Sequence, residues 1–285
     1  MHTTEANAEG LLHRGLGGVE LFDFPAQAAA ALRSELDALT REGHTRLSFH
    51  SPMPRPSYFR HDGVCCFFLH EDAALRDLSF RVLEETLAHA RAWGAAYVVT
   101  HLTYGKTDTA DRDCALRLAR AACLRLADLS ERYAMPIDIE FAAYSSAFAA
   151  PEDFLAAMLG QPQLGICLDT GHAALGARIR QRTYLDDIRK LAPRARSMHL
   201  WNTRGPEDAR HRGHVPLHPR QTPEQGWIDM EETLRIVLAH NPRISVVFEY
   251  PVAHVTAEIR EGYDWIAGLV RRHASDPQFP AEDSA

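Results

Sequence analysis

Apolar residues along the chain are concentrated in short stretches that do not alternate cleanly with polar residues. Seven of these stretches are rich in Val, Ile, Leu and Phe and are predicted to be strands: 17–22, 46–50, 97–102, 136–141, 165–169, 197–201 and 244–250. A nearly continuous apolar run is typical of a parallel strand that is buried on both faces. The pattern therefore predicts a parallel sheet that is covered on both sides.

Helices are predicted between these strands, because apolar residues recur there every three to four positions. Residues 26–43 and 72–94 are clear examples, and each ends at a glycine that can cap a helix. The alternation of strand and helix indicates repeated βαβ units, and their number fits a closed (β/α)8 TIM barrel better than an open sheet. We predict one barrel domain over residues 1–274 and a flexible C-terminal tail over residues 275–285.

The start of the predicted barrel is irregular. Residues 7–22 have the pattern of a helix followed by a strand, whereas a barrel begins with a strand, and the preceding segment MHTTEA is short and polar. We therefore predict that the first strand is short or missing. An incomplete start would favour pairing with a second copy, so a homodimer is a further expectation.

Composition narrows the class of protein. The 285 residues are 46% hydrophobic and 24% charged, which is ordinary for a globular protein, and no apolar run reaches the length of about 18 residues that a membrane span needs. The N-terminus lacks a signal-peptide pattern, so a cytoplasmic protein without a membrane partner is expected. The formal net charge of -7 argues against a nucleic-acid partner. The 16 histidines are numerous and indicate metal or acid–base chemistry.

Side chains that can bind metals recur where the predicted strands end. They are His50, His101, Glu140, Asp169 followed by His172, His199 and Glu249. The carboxyl ends of the strands of a (β/α)8 barrel surround one mouth, so we expect these side chains to converge there. Crowded carboxylates and imidazoles repel and desolvate one another unless a cation neutralises them. We therefore expect a divalent metal, and the mixed nitrogen and oxygen ligands suit Mn²⁺, Zn²⁺, Co²⁺ or Mg²⁺.

Seven of the strand segments resemble the motifs of the xylose isomerase-like TIM barrels over about residues 10–270: VELF, LSFHSP, VVTHL, IDIEF, GICLDTGHA, SMHLWN and VVFEY. That superfamily includes ketose epimerases, sugar-phosphate isomerases and the endonuclease IV enzymes. The resemblance to ketose epimerases implies that Glu140, Asp169, His199 and Glu249 hold one metal and that the two glutamates also act as the acid/base pair. It also implies that His172 binds a substrate hydroxyl.

This ligand set suits a metal-dependent isomerase or epimerase. Removal of a proton next to a carbonyl leaves an enediolate whose two oxygens a divalent ion can chelate. An acid and a base can then invert a stereocentre or move the carbonyl. We expect a sugar-like or hydroxy-carbonyl small molecule as the substrate. Trp201 and Arg204 follow His199 closely and are candidates for binding it, Trp201 by stacking on a ring and Arg204 through an oxygen or a carboxylate.

Two other functions are left open. The resemblance to endonuclease IV implies a zinc phosphodiesterase, with His50, His101 and Glu140 around one zinc, the epimerase-type set around a second, and His172 and His214 at a third. Arg212 stands where that family has an aspartate, and an arginine would repel the third zinc. The irregular N-terminus motivates the other alternative, a catalytically inactive barrel that binds a small molecule.

Two departures from the family pattern bear on the reaction. Trp201 occupies a position where many sugar-handling members have a lysine, so an ordinary hexose is not assumed as the substrate. Ala142 stands where the dehydroshikimate dehydratases would have a histidine, which counts against that reaction.

Overall fold

Eight parallel strands form one sheet whose spatial order is the same as their order along the chain. The computed structural model describes residues 2–3, 16–41, 46–143, 145–252 and 254–274. The strands are β1 His2–Thr3, β2 Gly18–Phe22, β3 Arg46–His50, β4 Val98–His101, β5 Ile137–Glu140, β6 Leu164–Asp169, β7 Ala195–Leu200 and β8 Ser245–Phe248. Every neighbouring pair is parallel, which confirms the predicted α/β TIM barrel.

The first strand is present and short, as predicted. His2 and Thr3 pair with Glu20 and Leu21 of β2. The polar opening of the sequence therefore supplies a strand after all, although it has only 2 residues. The helix predicted before β2 lies almost wholly outside the described residues, and so does the predicted tail over residues 275–285.

Helices connect the strands and cover the outside of the barrel. They are Ala29–Arg41, Ala73–Trp93, Arg112–Tyr133, Pro151–Ala157, Thr170–Ile179, Tyr184–Leu191, Pro206–Arg212, Met230–His240 and Ala257–Ala274. The side chain of Asp72 accepts a hydrogen bond at the start of Ala73–Trp93, and Gly94 ends that helix in the left-handed conformation that favours glycine. Within the described residues, no helix is both long and apolar enough to cross a membrane.

The inside of the barrel is arranged in layers, because alternate residues of a strand point to the same face. The upper layer holds the candidate metal ligands at the strand ends. Side chains two positions earlier share their face, and these are polar in several strands: Ser48, Asp138 and Ser197. Glu20 of β2 pairs with Ser48 in the register of the sheet and is also buried. A polar layer thus lies directly beneath the mouth.

Candidate metal centre at the mouth of the barrel

The structure brings four predicted ligands together at the carboxyl ends of the strands. Glu140, Asp169, His199 and Glu249 each offer one ligand atom, and these atoms lie within 4.8 Å of one another. Glu140 ends β5 and Asp169 ends β6, while His199 lies in β7 and Glu249 follows β8. The first three side chains are buried, and that of Glu249 is 13% exposed, so the set opens towards solvent on the Glu249 side.

His199 occupies the centre of this group. Its Nδ1 lies 3.0 Å from Glu249 Oε2 and 3.6 Å from Glu140 Oε2. Glu140 Oε1 is buried and has no hydrogen-bond partner among the described residues. A buried carboxylate oxygen normally has a partner, so a cation between these side chains would satisfy an otherwise costly group. The donor set of three carboxylates and one imidazole fits a divalent metal.

Asp169 is held in place by the segment that follows it. It precedes the helix Thr170–Ile179, and its Oδ1 accepts a hydrogen bond from the backbone N–H of His172 at 2.6 Å. Oxygens of aspartate commonly satisfy the free N–H groups of a first helical turn. His172 itself lies in the first turn of that helix.

The indole of Trp201 lies behind Asp169. Its Nε1–H donates to both carboxylate oxygens of Asp169, at 2.9 and 2.8 Å. One face of the ring stacks on His214, with ring centroids 4.0 Å apart and planes 8° apart. The other lies against Gly171, where a Cβ would be 2.1 Å from Trp201 Cε2. Stacking of Trp201 on a substrate stays a prediction, and it would require His214 to move away.

A second possible donor set shares Glu140. His50, His101 and Glu140 are buried and have ligand atoms within 4.8 Å of one another. His50 Nε2 lies 2.9 Å from Glu140 Oε2, and His101 Nε2 lies 3.6 Å from the same oxygen. The two imidazoles come from β3 and β4, as the positions of these histidines at strand ends predict.

Burial and charge shift the titration of these groups. Burial lowers the pKa of His172 to about 4, so its imidazole is neutral at pH 7. Burial, reinforced by the charge of Glu249, raises the pKa of Asp169 well above its ordinary value. Burial also acts to raise the pKa of Glu140, but the charge of His101 and the hydrogen bond with His50 outweigh it and hold that pKa below its ordinary value.

The other predicted contacts lie around this centre. His172 Nε2 is 3.8 Å from Glu140 Oε1, and its ring centroid is 5.5 Å from that of His214. His214 Nδ1 is 2.9 Å from the carbonyl oxygen of Glu249, which fixes this imidazole beside the mouth. His172 and His214 thus adjoin each other, although neither of the two donor sets found among the described residues includes them.

Arg204 is engaged on the outer surface. Its guanidinium lies 5.3 Å from the centre of the Trp227 ring and 3.4 Å from Asp208 Oδ1. Arg212 packs on the same ring and pairs with the same carboxylate. Asp208 therefore pairs with both arginines, and contact of Arg204 with a substrate stays a prediction.

Sequence reasoning missed Glu20, a fully buried carboxylate directly beneath the donor set. Glu20 Oε1 lies 2.7 Å from His199 Nε2. One signal could have identified it, since a glutamate interrupts the otherwise apolar strand segment VELF. A charged residue in a strand buried on both faces needs a partner inside the barrel.

Comparisons with known proteins agree with this architecture. The model of a family described as "Xylose isomerase-like TIM barrel" matches residues 11–269. No curated protein is significantly similar to the chain in sequence. Many solved structures share the fold, and among them the structure of L-ribulose 3-epimerase has a TM-score of 0.65 at 14% identity, covering 93% of this chain and 88% of that one.

Two other similar structures contain a metal. The IOLI protein with a bound zinc atom has a TM-score of 0.65 at 14% identity, with 90% of each chain covered. A xylose isomerase-like TIM barrel protein from Mycobacterium smegmatis in complex with magnesium has a TM-score of 0.55 at 13% identity, covering 88% of this chain and 80% of that one. At these identities the likeness shows the fold.

Proposed function

Because the chain belongs to the xylose isomerase-like TIM-barrel family, we propose that it is a divalent-metal-dependent isomerase or epimerase of a sugar-like or hydroxy-carbonyl small molecule. One observation carries the proposal. Glu140, Asp169, His199 and Glu249 have ligand atoms within 4.8 Å of one another at the mouth of the barrel. Active sites of this fold lie at that mouth. Its structural neighbours include a protein named as a sugar epimerase.

The same four residues would hold the metal, which is Mn²⁺, Zn²⁺, Co²⁺ or Mg²⁺ on the evidence of its nitrogen and oxygen donors. When bound, the cation stabilises negative charge that develops on substrate oxygens. The two glutamates, Glu140 and Glu249, transfer the proton next to the carbonyl of the substrate. Glu140 and Glu249 are carried by β5 and by the segment after β8, so their carboxylates approach a substrate in the mouth from different strands.

Substrate orientation falls to the groups at the rim. The neutral imidazole of His172 lies beside Glu140 and can exchange hydrogen bonds with a substrate hydroxyl. His214 borders it and narrows the space above Asp169. The burial of Glu140 and Asp169 keeps water away from the reacting carbon, which strengthens electrostatic interactions there.

Solvent deuterium exchange tests the proposal. The Mn²⁺-loaded protein is incubated with a panel of sugars, cyclitols and hydroxy-carbonyl acids in D2O, and incorporation of deuterium next to the carbonyl is followed by NMR. We expect exchange with at least one class, and at least about a hundredfold slower exchange for Glu140→Gln and Glu249→Gln. Glu231→Gln is the matched control, because that side chain is 58% exposed on the outer surface. Absence of exchange across the panel, with metal bound, would refute the proposal.

A second function is favoured by one observation, the additional donor set of His50, His101 and Glu140. Occupation of both sets would give a zinc phosphodiesterase that resembles endonuclease IV. Metal analysis separates the two proposals. Two or more zinc ions in each chain, together with cleavage of abasic DNA, would favour the phosphodiesterase, whereas one metal and no cleavage would exclude it.

A further inference from the structure

Glu20 is a buried acid that neither proposed reaction uses. It lies in the middle of β2, is 0% exposed and occupies the layer beneath the donor set. Each of its carboxylate oxygens has its own neighbour. Oε2 accepts a hydrogen bond from Ser48 Oγ at 2.9 Å, and Oε1 lies 2.7 Å from His199 Nε2. The side chain is thus fixed between β3 and β7.

His199 spans the two layers. Its Nε2 faces Glu20, while its Nδ1 faces Glu249 Oε2 at 3.0 Å and Glu140 Oε2 at 3.6 Å. A neutral imidazole carries one N–H and one lone pair, and only the lone pair can bind a metal. The nitrogen that faces the carboxylates of the mouth must therefore be the one without the proton when a cation is bound.

We propose that Glu20 is a positioning residue, which accepts the Nε2 proton of His199 and thereby keeps the lone pair on Nδ1 directed at the cation. The proposal rests on the metal of the proposed function, but it does not depend on the reaction. Glu20 lies in the layer beneath the mouth and reaches the donor set through the imidazole of His199. A carboxylate acceptor at Nε2 also makes the imidazole a stronger donor to the cation.

The partners of the buried Glu20 carboxylate support this role. A buried acid is costly unless hydrogen bonds or an opposite charge compensate it, and here Ser48 Oγ donates a hydrogen bond to Oε2 while the imidazole of His199 lies within ion-pair distance of Oε1. The layer offers a comparison. Asp138, also buried, accepts a hydrogen bond from Ser197 Oγ at 2.8 Å. Asp138 is thus a buried carboxyl bound to a serine like Glu20, but among the described residues no imidazole nitrogen lies within ion-pair distance of it.

Metal titration is the first test, with Zn²⁺ added to metal-free protein in a calorimeter. We expect Glu20→Leu to weaken binding about 10- to 100-fold, since the acceptor is lost. Glu20→Gln keeps an acceptor without the charge and is expected to weaken binding by about 3- to 10-fold. Asp138→Asn is the matched control for loss of a buried acid in the same layer, and its affinity is expected to stay within about twofold of the wild type.

Nitrogen NMR of the zinc-loaded protein is the second test, because a merely structural role would not change it. The His199 signals are assigned by their absence in His199→Asn. We expect a slowly exchanging, downfield Nε2 proton in the wild type, and its loss or upfield shift in Glu20→Leu. Circular dichroism establishes that each variant is folded. If Glu20→Leu does not fold, Glu20→Gln decides the question by its zinc affinity and by an upfield shift of the Nε2 proton, since a neutral acceptor makes a weaker hydrogen bond.

The outcomes separate this proposal from the proposed function. A folded Glu20 variant that binds Zn²⁺ as the wild type does, or that keeps the Nε2 proton signal unchanged, would overturn the role of Glu20. Equal loss of zinc affinity in Asp138→Asn would overturn it too, because the loss of any buried acid in that layer would then weaken metal binding. Normal metal binding without deuterium exchange would refute the isomerase while leaving the role of Glu20 intact.

Discussion

The close packing of the Trp201 ring on Gly171 allows a sharp test of how Asp169 is positioned. In Gly171→Ala, the new Cβ would lie 2.1 to 2.3 Å from three atoms of the indole, whereas carbon atoms in contact are about 3.5–4.0 Å apart. The ring would have to retreat by roughly 1.5 Å. It cannot do so freely, because His214 is stacked on its other face and Asp169 holds its N–H.

The expected cost follows from these contacts. Overpacking a core costs about 1–3 kcal/mol, and disturbing a hydrogen bond costs about 0.5–1.5 kcal/mol. The higher helix propensity of alanine offsets up to about 1 kcal/mol of this cost. We therefore expect Gly171→Ala to lower the free energy of unfolding by about 2–4 kcal/mol, measured by denaturant unfolding of the metal-free protein.

Gly268→Ala is the matched control. Gly268 also lies within a helix, Ala257–Ala274, but a Cβ there would meet no atom within 4 Å. The same substitution should thus stabilise the protein by about 0.5–1 kcal/mol. A cycle with Trp201→Leu isolates the clash, and we expect a coupling of at least about 1 kcal/mol between positions 171 and 201. Wild-type stability of Gly171→Ala, or simple additivity in the cycle, would refute the reasoning.

Three further predictions concern the metal and a buried acid. Removal of metal by a chelator should lower the melting temperature by about 4–8 °C, since a cation at a hundred times its dissociation constant contributes about 2.7 kcal/mol; an unchanged value in calorimetry would contradict a bound metal. Trp201→Phe keeps a ring but removes the donor to Asp169, so calorimetric titration should show about tenfold weaker Zn²⁺ binding, against no change in Trp227→Phe. Burial raises the pKa of Asp108 to about 6. Because this carboxyl keeps its proton to a higher pH in the folded protein than in the unfolded chain, the stability of the fold falls as the pH rises from about 4 to 6. Asp108→Asn should therefore stabilise the protein by about 1–2 kcal/mol at pH 7, with the gain vanishing near pH 4 in denaturant unfolding; an equal gain at both pH values would argue against this pKa.

The hydrophobic pattern was sufficient for the barrel but not for all of its helices. Strands predicted at 46–50 and 165–169 agree with Arg46–His50 and Leu164–Asp169 to within one residue, because buried parallel strands leave a dense apolar signature. The helix Thr170–Ile179 was missed although Asp169 is a good cap, since it starts without any loop after β6. Pro206–Arg212 is short and polar, and no apolar periodicity marks it.

For the candidate site, too, one part could be predicted from the sequence and another could not. Its membership was predictable, because the position of a residue at the end of a parallel strand determines its place at the mouth. The roles of individual side chains depend on directions that the sequence does not contain. Trp201 was expected to face a substrate, but rotation about its side chain directs the indole N–H to Asp169. Glu20 could have been found as the charged residue between Val19 and Leu21 of β2, yet its partner His199 lies five strands away.

The interior of this barrel contradicts the expectation that a core is apolar, and the contradiction points to function. Glu20 and Asp138 lie in one buried layer and Glu140 and Asp169 in the layer above, a set of acids that a purely structural core would not retain. Imidazoles compensate part of this charge, since His199 contacts acids of both layers. Repulsion between Asp169 and Glu249 persists and opposes ionisation of Asp169. A divalent cation at the mouth would relieve that repulsion, which is why we expect metal binding and folding stability to be coupled in this protein.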